Sequence, residues 1–223
     1  MYTLLIFDWD GTIINSEERI ISCMRSASQD LDLPLPHAEA VRNIIGLGLP
    51  EAIRALIPGI ADEMIPRVRE RYAFHYIEGD QTPTPLFPGV EETLLRLQDR
   101  GFRMAVATGK NRPGLNRVFE QTGLGKYFEL SRCADETTSK PDPHMLHEIL
   151  EEAQVSARQA LMVGDTEYDL EMGQRAGVAT AAVSYGAHPI HRLRPWRPVV
   201  ELNHFKELEL WLTSHTLMTD TVD

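Results

Sequence analysis

Leu4-Leu5-Ile6-Phe7-Asp8-Trp9-Asp10-Gly11-Thr12 opens the chain almost from its first residue. Four apolar residues followed at once by two carboxylates and a glycine read as a buried strand that delivers charge to its carboxyl end. In an open parallel sheet that is the end where ligands sit. A carboxylate there can attack an electrophile, its neighbour can move a proton, and both can help hold a hard cation through oxygen. Asp and Gly are also ordinary turn residues, so the stretch acquires its meaning from the segments downstream of it.

From about Val90 onward the chain alternates. A helix over 90–100 is closed by Gly101, and a short apolar strand comes next over 103–108. A helix over 114–122 ends at Gly123, with the next strand over 128–133. Helices over 145–153 and 168–175 then alternate with strands over 160–164 and 179–184, the last being the fifth strand. This βα alternation predicts an α/β fold: a Rossmann-like parallel sheet with helices on both faces. A helix over 205–212 is expected to pack outside it, and 216–223 to form a frayed tail.

Residues 15–86 break the pattern, reading as helical throughout. Ile20, Met24, Ala27 and Leu31 fall on one helix face, with Ser16 placed as a cap. Pro34 and Pro36 interrupt the chain, and a second helical piece surrounds 41–45. Gly46-Leu47-Gly48-Leu49 forms a turn, Pro50 opens a helix that Pro58-Gly59 closes, and a further helix runs over about 62–77. The proline-rich stretch 82–89 reads as a linker leading back. The expected organisation is a core domain, 1–14 and 87–223, interrupted by an inserted all-α domain, 15–86.

Composition bounds the function. The 223 residues are 43% hydrophobic and 25% charged, as expected of a globular protein with one large domain or one carrying an insertion. A net charge of -11 argues against nucleic acid, which needs a clustered basic surface. The densest basic stretch, 192–197, contains Pro195 and reads as a solvated loop. A small anionic substrate remains compatible, because a local field can oppose the net charge. Cys23 and Cys133 have no metal-ligand spacing and read as buried thiols of a reducing compartment. The N-terminal apolar run is too short for a signal peptide or a membrane span. A cytoplasmic protein without membrane partners is expected, and its oligomeric state is open between monomer and homodimer.

Three further segments stand beside expected strand ends: Thr108-Gly109-Lys110, Ser139-Lys140-Pro141, and Gly164-Asp165-Thr166-Glu167-Tyr168-Asp169. Each alone is weak, since turns, solvated loops and helix caps use the same residues. In this order, after Asp8-Trp9-Asp10-Gly11-Thr12, they resemble the four motifs of the haloacid dehalogenase-like hydrolase superfamily, with the helical insertion where one large branch carries a mobile cap. The resemblance covers nearly the whole chain, weakening after about Gly186, and is greatest to the phosphoglycolate phosphatase group.

That resemblance implies a Mg²⁺-dependent phosphatase acting on a small phosphorylated metabolite such as phosphoglycolate or a sugar phosphate. Asp8 is implied as nucleophile, giving an aspartyl-phosphate, and Asp10 as general acid and base. Mg²⁺ would be held by Asp8, the main-chain carbonyl of Asp10, and Asp165, with Asp169 supporting that shell or orienting Lys140. Thr108, the Gly109 amide and Lys140 would bind the phosphoryl oxygens, and Gly11 would let backbone amides come close to them. Lys110 reads as surface charge, and Arg42 as a solvated residue that could also meet a substrate carboxylate. The Gly46–Leu49 turn resembles a cap loop reaching toward the leaving group, although a plain helix–helix turn uses the same residues.

Other readings compete. Residues 15–86 contain no lysine, which disfavours a phosphonate-cleaving relative dependent on a cap Schiff base. A true dehalogenase would leave Asp10 and the acidic fourth motif without purpose. A β-phosphoglucomutase-like mutase remains, with His37 and His75 in the insertion, as does a non-catalytic phosphometabolite-binding protein. His188 and His191 read as surface-loop residues, and His144 and His147 as an exposed helix face.

Overall fold

The computed structural model describes residues 1–219. Six strands form one parallel sheet: β1 (Leu4–Phe7), β2 (Arg103–Thr108), β3 (Leu130–Cys133), β4 (Ala160–Gly164), β5 (Ala179–Val183) and β6 (Val200–Leu202). Their order is β3-β2-β1-β4-β5-β6, so the chain runs outward from β1 on one side and then resumes on the other. The reversal point lies between β1 and β4, where such sheets open a crevice at their carboxyl edge.

β1 is buried on both faces because its side chains alternate between two cores. Leu5 and Phe7 belong to one apolar cluster with Val90, Leu94, Phe205 and Leu208. Leu4 and Ile6 belong to another with Met145, Ile149 and Met172. The covering helices are α5 (Val90–Asp99) and α6 (Arg112–Thr122), then α7 (His144–Ala153) and α8 (Glu167–Arg175), and finally α9 (Ile190–Leu193) and α10 (Glu207–Thr219). Strand register places Phe7 opposite both Val106 and Val163. Asp8, Thr108 and Asp165 therefore leave the sheet within one residue of the same level.

Between β1 and α5 stand α1 (Glu17–Asp30), α2 (Ala38–Asn43), α3 (Leu49–Leu56) and α4 (Met64–Phe74), the last ending in a wider helical turn, His75–Gly79. These helices bury an apolar cluster of their own that includes Met24, Val41, Ile53 and Val68. The two connections to the sheet run side by side. The Asn15 amide donates to the Pro85 carbonyl at 2.8 Å, and the Phe87 amide donates to the Ile13 carbonyl at 3.1 Å.

Several expectations needed correction. The sheet has a sixth strand, whose three residues are too short to give an alternation signal. Residues 192–197 are not a solvated loop: they span the end of α9 and a tight helical turn, and Leu193 packs fully buried with Leu170 and Ala182. His188, expected in a surface loop, is fully buried. Its Nδ1 accepts from the Glu167 amide at 3.2 Å, and its Nε2 lies 3.3 Å from the Asn43 carbonyl. Ser16 precedes α1 but makes no side-chain cap there. α6 starts at Arg112 because Asn111 caps it, accepting from the Gly114 amide. α10 continues to Thr219 where a frayed tail was expected, and 220–223 lie outside the described residues. His144 and His147 are exposed as expected, and Cys23 and Cys133 are buried and unpaired. No helix among the described residues is long and apolar enough to cross a membrane.

Phe205 anchors the late elements to β1, with its ring centroid 5.7 Å from that of Phe7. Phe205→Ala is expected to cost about 3–5 kcal/mol, read as a lower urea midpoint at unchanged slope.

Candidate active site

The alternation that buries β1 continues past its end. Trp9 turns into the core, fully buried against Phe119 and Phe128, while Asp8 and Asp10 are left on the crevice side. Gly11 then adopts φ +85°, and a Cβ there would lie 2.1 Å from Asp165 Oδ2. The glycine is needed both for its left-handed backbone and for the space this carboxylate occupies. Gly186 meets the same carboxylate from the other side, where a Cβ would lie 2.3 Å from Asp165 Oδ2. Asp165 also accepts from the Ala187 amide at 2.7 Å and from the Thr12 hydroxyl at 3.1 Å.

Lys140 reaches the centre of the crevice although its segment carries no strand. Its side chain is fully enclosed, and Nζ donates to Asp8 Oδ1 at 2.5 Å and to Asp169 Oδ1 at 2.6 Å. Asp169 is fixed in turn at the start of α8, where Oδ2 accepts from the Thr166 amide at 3.0 Å and its hydroxyl at 2.7 Å. Asp8, Asp165 and Asp169 bring one carboxylate oxygen each to within 4.8 Å of one another.

Crowding sets the electrostatics. Burial pushes Asp8 up to about 7; Lys140 opposes that rise, and the charges of Asp169 and Asp10 add to it. Asp165 is held well above the usual carboxylate range by burial and by Asp8 and Asp169. Burial also works against the Lys140 ammonium, but Asp169 and Asp8 outweigh it and keep it protonated. Three carboxylates facing one ammonium leave an excess of negative charge out of water, and Asp8 Oδ2 is buried without a hydrogen-bond partner among the described residues. A hard cation bound through oxygen fits both features.

Asp10 stands apart from that cluster. Its Oδ1 accepts from the Ser16 hydroxyl at 2.6 Å, and its Oδ2 lies 2.9 Å from Lys110 Nζ. Ser16 thus serves Asp10 rather than α1. Lys110 is not the surface charge expected of it: it is mostly buried, and its Nζ is also 3.4 Å from the Tyr76 hydroxyl. Burial opposes its charge, and Asp10 and Tyr76 more than restore it. Thr108 is fully buried at the end of β2, where its hydroxyl accepts from the Lys110 amide at 3.2 Å. Sequence reasoning missed Ser16, Tyr76 and Gly186, whose positions depend on the return path of the chain and leave no local signal.

The Gly46–Leu49 turn closes over this edge. The Gly46 and Leu47 carbonyls lie against Gly109, where a Cβ would come within 2.6 Å of both, and the Gly48 amide donates to Ser139 Oγ at 2.7 Å. Arg42 does not line the crevice cavity and pairs with Glu17 at 2.7 Å. His37 and His75 are also absent from the cavity wall, and His75 lies 2.7 Å from Asp30 Oδ2.

At pH 8, where Asp8 is charged in the parent protein, Lys140→Met is expected to destabilise the metal-free protein by about 3–5 kcal/mol, because Asp8 must then take up a proton or stand with Asp169 without a counter-charge. Chemical denaturation against the parent protein measures this.

The sequence pattern of the haloacid dehalogenase-like hydrolases matches residues 5–183. The chain is 34% identical over 213 residues to the probable phosphatase IndB of Dickeya dadantii, covering 93% of this chain and 92% of that protein. It is 30% identical to a phosphoglycolate phosphatase of Pseudomonas savastanoi, covering 92% of this chain and 78% of the other. A solved hydrolase from Pseudomonas syringae shares the fold with a TM-score of 0.86 at 21% identity, covering 96% of this chain and 99% of that one. The chain belongs to the haloacid dehalogenase-like hydrolase family, and it is a phosphatase.

Proposed function

We propose that this phosphatase hydrolyses the phosphate monoester of a small metabolite with Mg²⁺ as its cation, through an aspartyl-phosphate on Asp8. The observation that carries the reading is the enclosed Asp8–Lys140–Asp169 cluster beside Asp165 at the sheet's reversal point. Asp8 attacks phosphorus and the phosphorus–oxygen bond to the alcohol breaks. Asp10 gives its proton to the departing oxygen, then takes one from the water that cleaves the acyl-phosphate. Ser16 and Lys110 hold the Asp10 carboxylate for both transfers. Thr108, the Gly109 amide and Lys140 bind the phosphoryl oxygens as charge redistributes. Asp8, Asp165 and the Asp10 main-chain carbonyl would hold Mg²⁺, with Asp169 fixing Lys140 behind them. When bound, the cation offsets the negative charge of the carboxylates and of the phosphoryl group. Residues 15–86 act as a cap, and the paired connections at Asn15 and Phe87 are its hinge.

The test is phosphate release from a panel of monoesters with and without Mg²⁺. Release is expected to require the metal and to fall by roughly three orders of magnitude or more in Asp8→Asn. Metal-independent release, or an active Asp8→Asn, would refute the mechanism. Neither insertion histidine, His37 or His75, lines the cavity, which speaks against the mutase reading.

Metal binding is expected to depend on pH in a defined direction. Between about 7 and the ordinary carboxylate value, folded Asp8 holds a proton that unfolded Asp8 has lost. The metal-free protein therefore gains stability from this group as pH falls through that window. A cation must displace the proton, so Mg²⁺ affinity is expected to drop about tenfold for each pH unit below about 7. Thermal melts with and without Mg²⁺ should diverge at pH 8 and converge by pH 5.

A further inference from the structure

The crevice does not end at the phosphoryl site. A cavity of about 380 Å³ runs from Asp8 and Asp10 out between α1 and α4 on one side and α6 on the other. That volume falls in the range of sites that enclose whole small ligands. The wall beyond Asp10 is mainly carbon: Ile20, Met24, Ile44, Leu47, Tyr72 and Tyr76.

The cations of this cavity are distributed in an informative way. Arg19, Arg69, Lys110 and Arg117 line it. Lys110 is engaged by Asp10 and Tyr76. Arg19 donates to the carbonyls of Tyr76 at 2.8 Å and Asp80 at 2.7 Å, and its guanidinium lies over the Tyr76 ring. Both inner cations are thus committed to the protein. Arg69, on α4, is exposed, and Arg117, on α6, is partly so. A two-carbon acid ester such as phosphoglycolate would place its carboxylate next to the phosphate, among carbon side chains and engaged cations. It would also leave most of the cavity unfilled.

We infer that the preferred substrate is the phosphate monoester of a ring-bearing alcohol, whose ring lies on the Ile20, Met24, Ile44 and Tyr72 wall and whose outer polar end faces Arg69 and Arg117. This rests on the phosphatase reading above and narrows its leaving group. The ring replaces water along the carbon wall, a gain that scales with apolar area. Selection then acts on the size and outer end of the alcohol.

The experiment compares kcat/KM for phosphoglycolate and glycerol phosphate with that for a hexose phosphate, a nucleoside 5′-monophosphate and naphthyl phosphate, all at saturating Mg²⁺. At least one ring-bearing ester is expected to exceed phosphoglycolate about tenfold or more, chiefly through KM. Ala73→Trp, which puts bulk on an exposed cavity-lining position of α4, is expected to reduce that ratio. Phosphoglycolate turned over as well as or better than every ring-bearing ester would overturn the inference and leave the phosphatase reading intact. A ratio unmoved by Ala73→Trp would overturn the placement of the ring. Silence on every ester would overturn the phosphatase reading and this inference together.

Discussion

The ammonium of Lys140, enclosed between Asp8 and Asp169, is the contact on which the site depends. Burying a carboxylate is costly unless charge and hydrogen bonds compensate it, and here three are brought together at the edge of a sheet buried on both faces. Lys140 compensates two of them at 2.5 and 2.6 Å. Asp165 is left to the Ala187 amide, the Thr12 hydroxyl and the space that Gly11 and Gly186 leave open. The arrangement stays unbalanced, because Asp8 keeps one oxygen without a hydrogen-bond partner among the described residues. The roles proposed for Asp8, toward a cation and toward phosphorus, both call for such an oxygen.

The same geometry separates the two carboxylates of the opening stretch. Asp8 and Asp10 are two residues apart and emerge on one side because Trp9 is anchored in the core between Phe119 and Phe128. Asp8 faces the carboxylate cluster. Asp10 faces the cavity, paired with Lys110 and tied to Ser16 at the first connection of the helical segment. Two identical side chains thus stand in different fields, one among like charges and one beside a cation.

Much of this is legible in the sequence, for physical reasons that differ by element. β1, β2 and β4 can be located to the residue because they are short apolar runs bounded by glycine and charge, and their register then fixes where Asp8, Thr108 and Asp165 emerge. Lys140 can be placed only through its resemblance to a motif, since its loop carries no periodic signal. Lys110 misleads because burial of a lysine is decided by its partners, here Asp10 and Tyr76, which lie 100 and 34 residues away in sequence. His188 misleads in the same way, through long-range contacts with Asn43 and Glu167. β6 is too short to show an alternation, and the buried Leu193 is hidden within a basic stretch.

The phosphoryl site and the cavity beside it differ in how firmly the chain determines them. The first is built from residues at strand ends, which backbone register and a few glycines hold in place. Most of the second is built from side chains on helices joined to the sheet by two adjacent connections, and those helices pack on a core of their own. A substitution among Ile20, Met24, Ile44 or Tyr72 is expected to reshape the cavity without displacing Asp8 or Lys140, because no strand register passes through them. Chemistry and selection are therefore separable within one chain. In the function proposed above, the phosphoryl site carries the chemistry and the helical wall selects the ester.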